Sequence, residues 1–179
     1  RRLVRLVEDL HQLTLIEGDH LDENWEETID VKKCAEYHLD KHSTKMCVEY
    51  SQILCSVHHM TAEVTTEVPY RLTHKNHPCS IWARECIENY IWLCDLGLEL
   101  CKEYTHRYDK RHKSQDVIEW CIINKPNLPT HNKLTPFALA MPDEYKCDNA
   151  ISSYRKYYMM DKAHLANWTK RKKPFWFAI

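Results

Sequence analysis

Apolar residues recur at helical spacing along most of the chain. In HSTKMCVEYSQILCSVHHM, Met46, Tyr50, Ile53, Leu54 and Val57 predict a helix with one face in the core. Asp40 stands before it as a candidate N-cap, and Asp30 stands likewise before DVKKCAEYHL. Pro78 suits the first turn of a helix running to about Tyr108. Its seam is Trp82, Cys86, Tyr90, Leu93, Gly97, Leu100 and Tyr104, with Gly97 expected to admit a close neighbour. A short helix follows over about 114–123, and Asp148 or Asn149 starts a last one through AISSYRKYYMMDKAHLANWTKR. Residues 1–13 predict a further short amphipathic helix, and 17–28 read as an acidic linker. The stretch 61–77, with Pro69, reads as irregular, and the four prolines of KPNLPTHNKLTPFALAMP predict an extended, ordered loop. The expected architecture is all-α: a compact single domain of three to five helices with long ordered loops. It covers 28–179, after an acidic N-terminal extension over 1–27.

Composition sharpens this picture by exclusion. The 179 residues contain two glycines, Gly18 and Gly97, where average usage of roughly 7% would supply about a dozen. Phosphate-cradling loops need several glycines at fixed spacing so that backbone can approach the anion, and none can be built here. Asn-Gly and Asp-Gly hairpin turns are also missing, which argues against a many-stranded sheet protein. The formal net charge of −1 hides an asymmetry. Residues 1–30 set three arginines against nine acidic residues, a net −6, so the remainder carries +5. A mildly basic body is compatible with a phosphate-bearing partner.

Nine cysteines raise the question of disulfides or metal. Cys79, Cys86, Cys94 and Cys101 are spaced by 7, 8 and 7 residues, one stripe of a helix. Residues two turns apart lie beyond the roughly 7 Å between Cα atoms that a disulfide tolerates. The count is odd and no CxxC occurs, so the expectation is reduced core cysteines in an intracellular protein. The pairs His74/His77 and His38/His42 have ligand-like spacing but no second pair in register, so no metal and no cofactor is expected. The first sixteen residues are interrupted by Glu8, Asp9 and His11 and read as neither signal peptide nor membrane span.

Two constellations carry chemistry. His42, Lys45 and Glu49 fall at i, i+3 and i+7 on one helical face, where a carboxylate beside an amine and an imidazole can move protons. The same pattern also describes an ordinary ion-pair stripe. At the C-terminus, Lys170, Arg171, Lys172 and Lys173 precede Phe175, Trp176 and Phe177. Cations neutralise phosphates and flat rings stack on bases, so this run suits nucleic acid. HRYDKRHK adds Arg107, Lys110, Arg111 and Lys113 at a helix end.

The segments DKHSTKMCVE, THKNHPCSIWARE, ENYIWL, CKEYTHRY, LTPFALAMPDEYKCD, SSYRKYY and NWTKRKKPFWF resemble, in order between residues 38 and 177, a family of small helical phage and viral proteins. That family is in turn distantly similar to the phage pyrimidine-dimer DNA glycosylases, often called endonuclease V. In those enzymes an aspartate-x-histidine opens a long helix and the catalytic glutamate follows seven residues after the histidine, matched here by Asp40, His42 and Glu49. A loop ending in histidine before the next helix is matched by His77. A late tyrosine-rich helix and a basic-Pro-x-Trp tail are matched by Tyr154, Tyr157, Tyr158, Lys173, Pro174 and Trp176.

The resemblance implies a bifunctional glycosylase and abasic-site lyase acting on damaged or modified pyrimidines in duplex DNA. Glu49 would be the acid/base residue, with His42 and Lys45 beside it. Expected DNA contacts are His77, Arg84, Arg107 and Lys110, and from the tail Lys170, Arg171, Lys172 and Trp176. The chain departs from the family in two respects. The family nucleophile is a free N-terminal amine close before the histidine, whereas about forty residues precede His42 here. Four alternatives stand: the leader brings the Arg1 amine back, processing exposes a nearer amine, a lysine such as Lys45 substitutes, or the lyase chemistry is lost. Arginines flanking the family glutamate are replaced by Val48 and Gln52. A rival expectation is a non-catalytic viral accessory protein that uses the basic-aromatic tail to bind nucleic acid or a protein partner.

Overall fold

The computed structural model describes residues 30–61 and 67–178. The expected helix over 1–13 and the acidic leader lie outside the described residues. Among those described, the chain is all-α, with six α-helices, no strand and one compact domain. None of the helices is long and apolar enough to cross a membrane.

The helix α1 spans Val31–Tyr37 and begins as its sequence dictates: the Asp30 carboxylate accepts from the Lys32 and Lys33 backbone N–H groups. The long α2, Asp40–Met60, starts differently from expectation. Leu39 occupies the N-cap without a side-chain bond, and Asp40 is the first helical residue. Its carboxylate is drawn instead to donors from distant segments, described below. The expected core positions Met46, Tyr50, Ile53, Leu54 and Val57 are all buried.

The helix expected from Pro78 to Tyr108 is two helices, α3 (Pro78–Ala83) and α4 (Ile87–Tyr108), which raises the number to six. The proline-rich loop causes the break. Pro129 carbonyl accepts from the Ile87 N–H at 2.8 Å, and Asn89 Nδ2 donates to the Trp82 carbonyl at 2.9 Å and to Thr135 Oγ1 at 2.7 Å. Backbone groups that a continuous helix would have paired internally are satisfied by the crossing loop and by Asn89. Then come α5 (Gln115–Ile123) and α6 (Ala150–Asp161), the latter capped by Asn149, which accepts from the Ser152 N–H at 2.8 Å. The last helix ends ten residues before Arg171, and the remainder is an irregular tail with one turn of 3₁₀-helix at Ala163–Leu165.

Helices α1 to α5 enclose the main core, with α2 and α4 packed along each other. Eight of the nine cysteines are buried, seven of them in this core; none forms a disulfide, and Cys147 alone is exposed. Gly97 marks a close approach, as expected: a Cβ there would lie 2.9 Å from Ile118 Cδ1 of α5. A second, aromatic cluster joins α6 and the tail to the α1–α2 corner through Leu39, Tyr158, Trp168, Trp176 and Phe177. That annex covers the first turns of α2.

Candidate functional site

The first half of α2 carries the predicted trio. His42 is buried, and its Nδ1 lies 2.9 Å from the Tyr158 hydroxyl of α6, which also accepts from the Leu39 N–H at 3.3 Å. Glu49 is 2% exposed, with Lys45 Nζ 3.3 Å from its Oε1 one turn back. The Lys45 side chain is 32% exposed, so the amine sits between the buried carboxylate and solvent. The sequence pattern alone placed this trio on a polar face. The fold instead buries two of the three, because the annex covers His42 and α3 packs against α2 near Glu49.

His77 caps α3, its Nδ1 accepting from the Cys79 N–H at 3.2 Å. Burial, and then the charge of His74, lower its pKa to about 4, so the ring is neutral near pH 7. Cys79, two residues on, is pushed up by burial and next by the Glu49 charge, which puts the start of α3 within electrostatic reach of Glu49. Arg84 closes α3 and spends an N–H on the Lys75 carbonyl at 2.6 Å, tying down the preceding turn.

The cations divide into two groups. Arg107 is 2% exposed and donates to Glu103 at 2.6 Å, Asp40 at 3.0 Å and the His38 and Glu36 carbonyls at 2.7 and 2.9 Å. Arg171 donates to both Glu103 oxygens, its Nη2 at 2.7 Å from Oε2, and reaches Glu36 at 3.6 Å. Asp40 also accepts from the Thr169 N–H and hydroxyl and from Asn167 Nδ2. Burial by itself would raise the Glu103 carboxyl, but bonds from Arg171 and Arg107 outweigh it and hold it below its usual range. These arginines were expected on DNA. In the fold Arg171 ties the returning tail to α4 and α1, Arg107 ties α4 to the α1–α2 corner, and Arg107 has no accessible surface left for a phosphate.

Lys110, Lys170 and Lys172 are exposed, with Lys170 Nζ resting on the His106 carbonyl at 2.9 Å and on Asp109 at 2.7 Å. Trp176 is a second correction. It is 8% exposed, wedged against Tyr37, Tyr158 and Phe177, whereas its neighbour Phe175 is 60% exposed. Sequence reasoning missed Arg155, whose guanidinium lies 5.6 Å from both the Phe175 and Trp176 ring centroids. Among the described residues, neither the Arg155 Nε–H nor the Trp176 Nε1–H meets an acceptor. The signal was present in SSYRKYY, an arginine on the tyrosine-rich helix that faces the aromatic tail.

No family model, curated protein or solved structure matches this chain. The chemistry of the site therefore has to be read from its own atoms. A buried carboxylate touching a half-exposed amine can exchange one proton with it, and the lysines and Phe175 offer cations and a ring outside.

Proposed function

We propose that this protein is a base-excision enzyme, a DNA glycosylase with abasic-site lyase chemistry on damaged or modified pyrimidines in duplex DNA. The observation that carries the reading is the Lys45–Glu49 pair: an amine 3.3 Å from a 2%-exposed carboxylate, with its own side chain reaching solvent. The resemblance to phage pyrimidine-dimer glycosylases supplies the substrate class. The Arg1 amine, the alternative nucleophile, lies outside the described residues, and the Lys45 amine is the nucleophile of this reading.

Lys45 becomes a nucleophile when it gives one proton to Glu49, 3.3 Å away. The neutral Nζ attacks C1′, the N-glycosidic bond breaks, and the base leaves with its electron pair and takes up the proton that Nζ sheds. Opening of the sugar gives an imine between Nζ and C1′. Glu49, relieved of its proton by the ring oxygen, then removes a C2′ proton, and the C3′–O3′ bond breaks with release of the 3′ phosphate. Exposed Lys110, Lys170 and Lys172 would neutralise backbone phosphates, and Arg155 with Phe175 would take a phosphate and an unstacked base.

Borohydride trapping on duplex DNA with an abasic site or a cyclobutane dimer tests this. A covalent adduct is expected, mapped to Lys45 by mass spectrometry and reduced about 100-fold or more in Glu49→Gln. DNA binding without an adduct would favour the accessory-protein reading, which the exposed Phe175 ring beside the Arg155 guanidinium supports independently. Affinity should fall with salt in proportion to the phosphates contacted. A flat salt response removes nucleic acid as the partner.

A further inference from the structure

Cys47 of α2, Cys101 of α4 and His112 of the turn before α5 converge inside the main core, away from the tail. One ligand atom from each lies within 4.8 Å of the other two, and all three residues are buried. We propose that Cys47, Cys101 and His112 form a binding site for a thiophilic divalent cation of the zinc class, which ties α2, α4 and the α4–α5 turn together.

The donor set selects the ion. Two thiolates and a neutral imidazole are soft and borderline ligands that suit a d¹⁰ ion, and they are the protein ligands of a known three-residue zinc arrangement. Charge selects the valence. A divalent ion with two thiolates is neutral, so it can be buried without a counter-ion, whereas a monovalent ion would leave one net negative charge in an apolar core. The approach is loose but near. Sulfurs on a tetrahedral zinc stand about 3.8 Å apart, given bonds of about 2.3 Å, so the side chains need to close by no more than about an ångström.

The present atoms also say what binding must displace. Cys47 Sγ donates to the Ser43 carbonyl at 3.1 Å, a bond that ends when an ion replaces the thiol proton. Capture is an exchange in which two thiols and one divalent ion give the dithiolate complex and two protons. The His112 ring also bonds the Thr44 backbone, so neither side of it is idle before an ion arrives. The Ser114 N–H donates to His112 Nδ1 at 3.1 Å. Ligation through Nδ1 uses that lone pair, and ligation through Nε2 moves the proton onto Nδ1. Either way the Ser114 bond is given up, which supplies a local reporter of occupancy.

A built-in control lies along the same helix. Cys55 of α2 and Cys121 of α5 also interact, the Cys55 thiol being lowered by its hydrogen bond with Cys121. Among the described residues no third ligand joins them, so this pair is expected to stay an ordinary thiol contact.

The full chain, produced with zinc and purified without chelator, should contain close to one zinc per molecule by mass spectrometry. Cys47→Ala and Cys101→Ala should each cut that at least tenfold, and Cys121→Ala should retain it. Because a core variant can fail to fold, the wild-type chain is also stripped and titrated with Co²⁺. A one-to-one endpoint with thiolate-to-cobalt charge transfer and intense tetrahedral d–d bands is expected, together with a shifted Ser114 amide resonance. A metal-free wild-type chain with a flat cobalt titration overturns the site. Equal zinc content in Cys47→Ala, or stoichiometric monovalent copper in place of zinc, overturns it as well.

Discussion

Asp40 and Glu49 are carboxylates on the same helix, nine residues apart, and they do opposite things. Asp40 accepts from Arg107, Asn167 and Thr169, so its donors come from α4 and from the tail. Glu49 lies deeper, and its ion-pair partner Lys45 is a neighbour on its own helix that is itself one-third exposed. The Asp40 donors come from distant segments and meet it only after the chain has folded back. The Glu49 pair, by contrast, lies within one helix, and its lysine reaches solvent. A carboxylate tied to several distant segments is structural, and a buried one paired locally with an amine that reaches the surface is available for chemistry.

The largest effect should come from the Asp40 side. Arg107→Ala leaves Asp40 and Glu103 without their shared guanidinium and should cost about 3–5 kcal/mol in urea unfolding. Loss of DNA affinity in this variant with unchanged stability would erase the distinction between the two regions. Next come the aromatic neighbours of the tail. Trp176→Ala should cost about 3–5 kcal/mol by opening the annex. Phe175→Ala should cost under about 1 kcal/mol of stability yet weaken single-strand or lesion binding by about 1–3 kcal/mol. The reverse ranking would restore Trp176 as the stacking ring.

The two regions should also separate along pH. His58 is buried beside the Tyr90 hydroxyl at 2.8 Å; burial, then the charge of His59, lower its pKa to about 4. His77 behaves likewise. Above about pH 6.5 both rings are neutral folded and unfolded, so pH has no effect through them. As pH falls from 6.5 to 4 the unfolded chain gains protons first, and roughly 1–3 kcal/mol of stability should be lost for His58, levelling below 4. His58→Gln should flatten that slope in melts at pH 7, 5.5 and 4. The Glu103 network, with its carboxyl held low, should hold at full strength until pH falls into the ordinary carboxylate range, and weaken from there downward. The smallest change is Tyr158→Phe. It removes the hydroxyl shared by His42 and Leu39 and should cost about 1–2 kcal/mol, with trapping kinetics altered only if His42 orientation matters to the reaction.

Much of the fold was legible because its signals are local. The Asp30 and Asn149 caps, Pro78 in a first turn, the α2 core face and Gly97 beneath Ile118 each depend on residues within a few turns, or on one missing Cβ. The broken helix at residues 84–86 was not legible, because the groups that break it come from Pro129 and Thr135, more than forty residues away. The early end of α6 was hidden for a related reason: the tail leaves helical geometry to bring Asn167, Trp168 and Thr169 onto Asp40 and Tyr37. Spacing placed His42, Lys45 and Glu49 on one face correctly, but it had no means of saying that the face is covered.

What the sequence determined by itself is the helical class, the apolar seams and the inventory of cations, aromatics and thiols, since periodicity and composition suffice for these. The tertiary structure alone decided which of those side chains remain available. Arg107, Arg171 and Trp176 carry the same chemistry as Lys110, Lys172 and Phe175, and no local pattern separates them. The separation comes from the folding back of the chain, which brings carboxylates and carbonyls of the α1–α2 corner and α4 to the two arginines, encloses Trp176 among aromatic rings, and leaves the other set in water. Such pairings join residues more than sixty positions apart, and only the packed chain brings them within the few ångströms over which hydrogen bonds and ion pairs act.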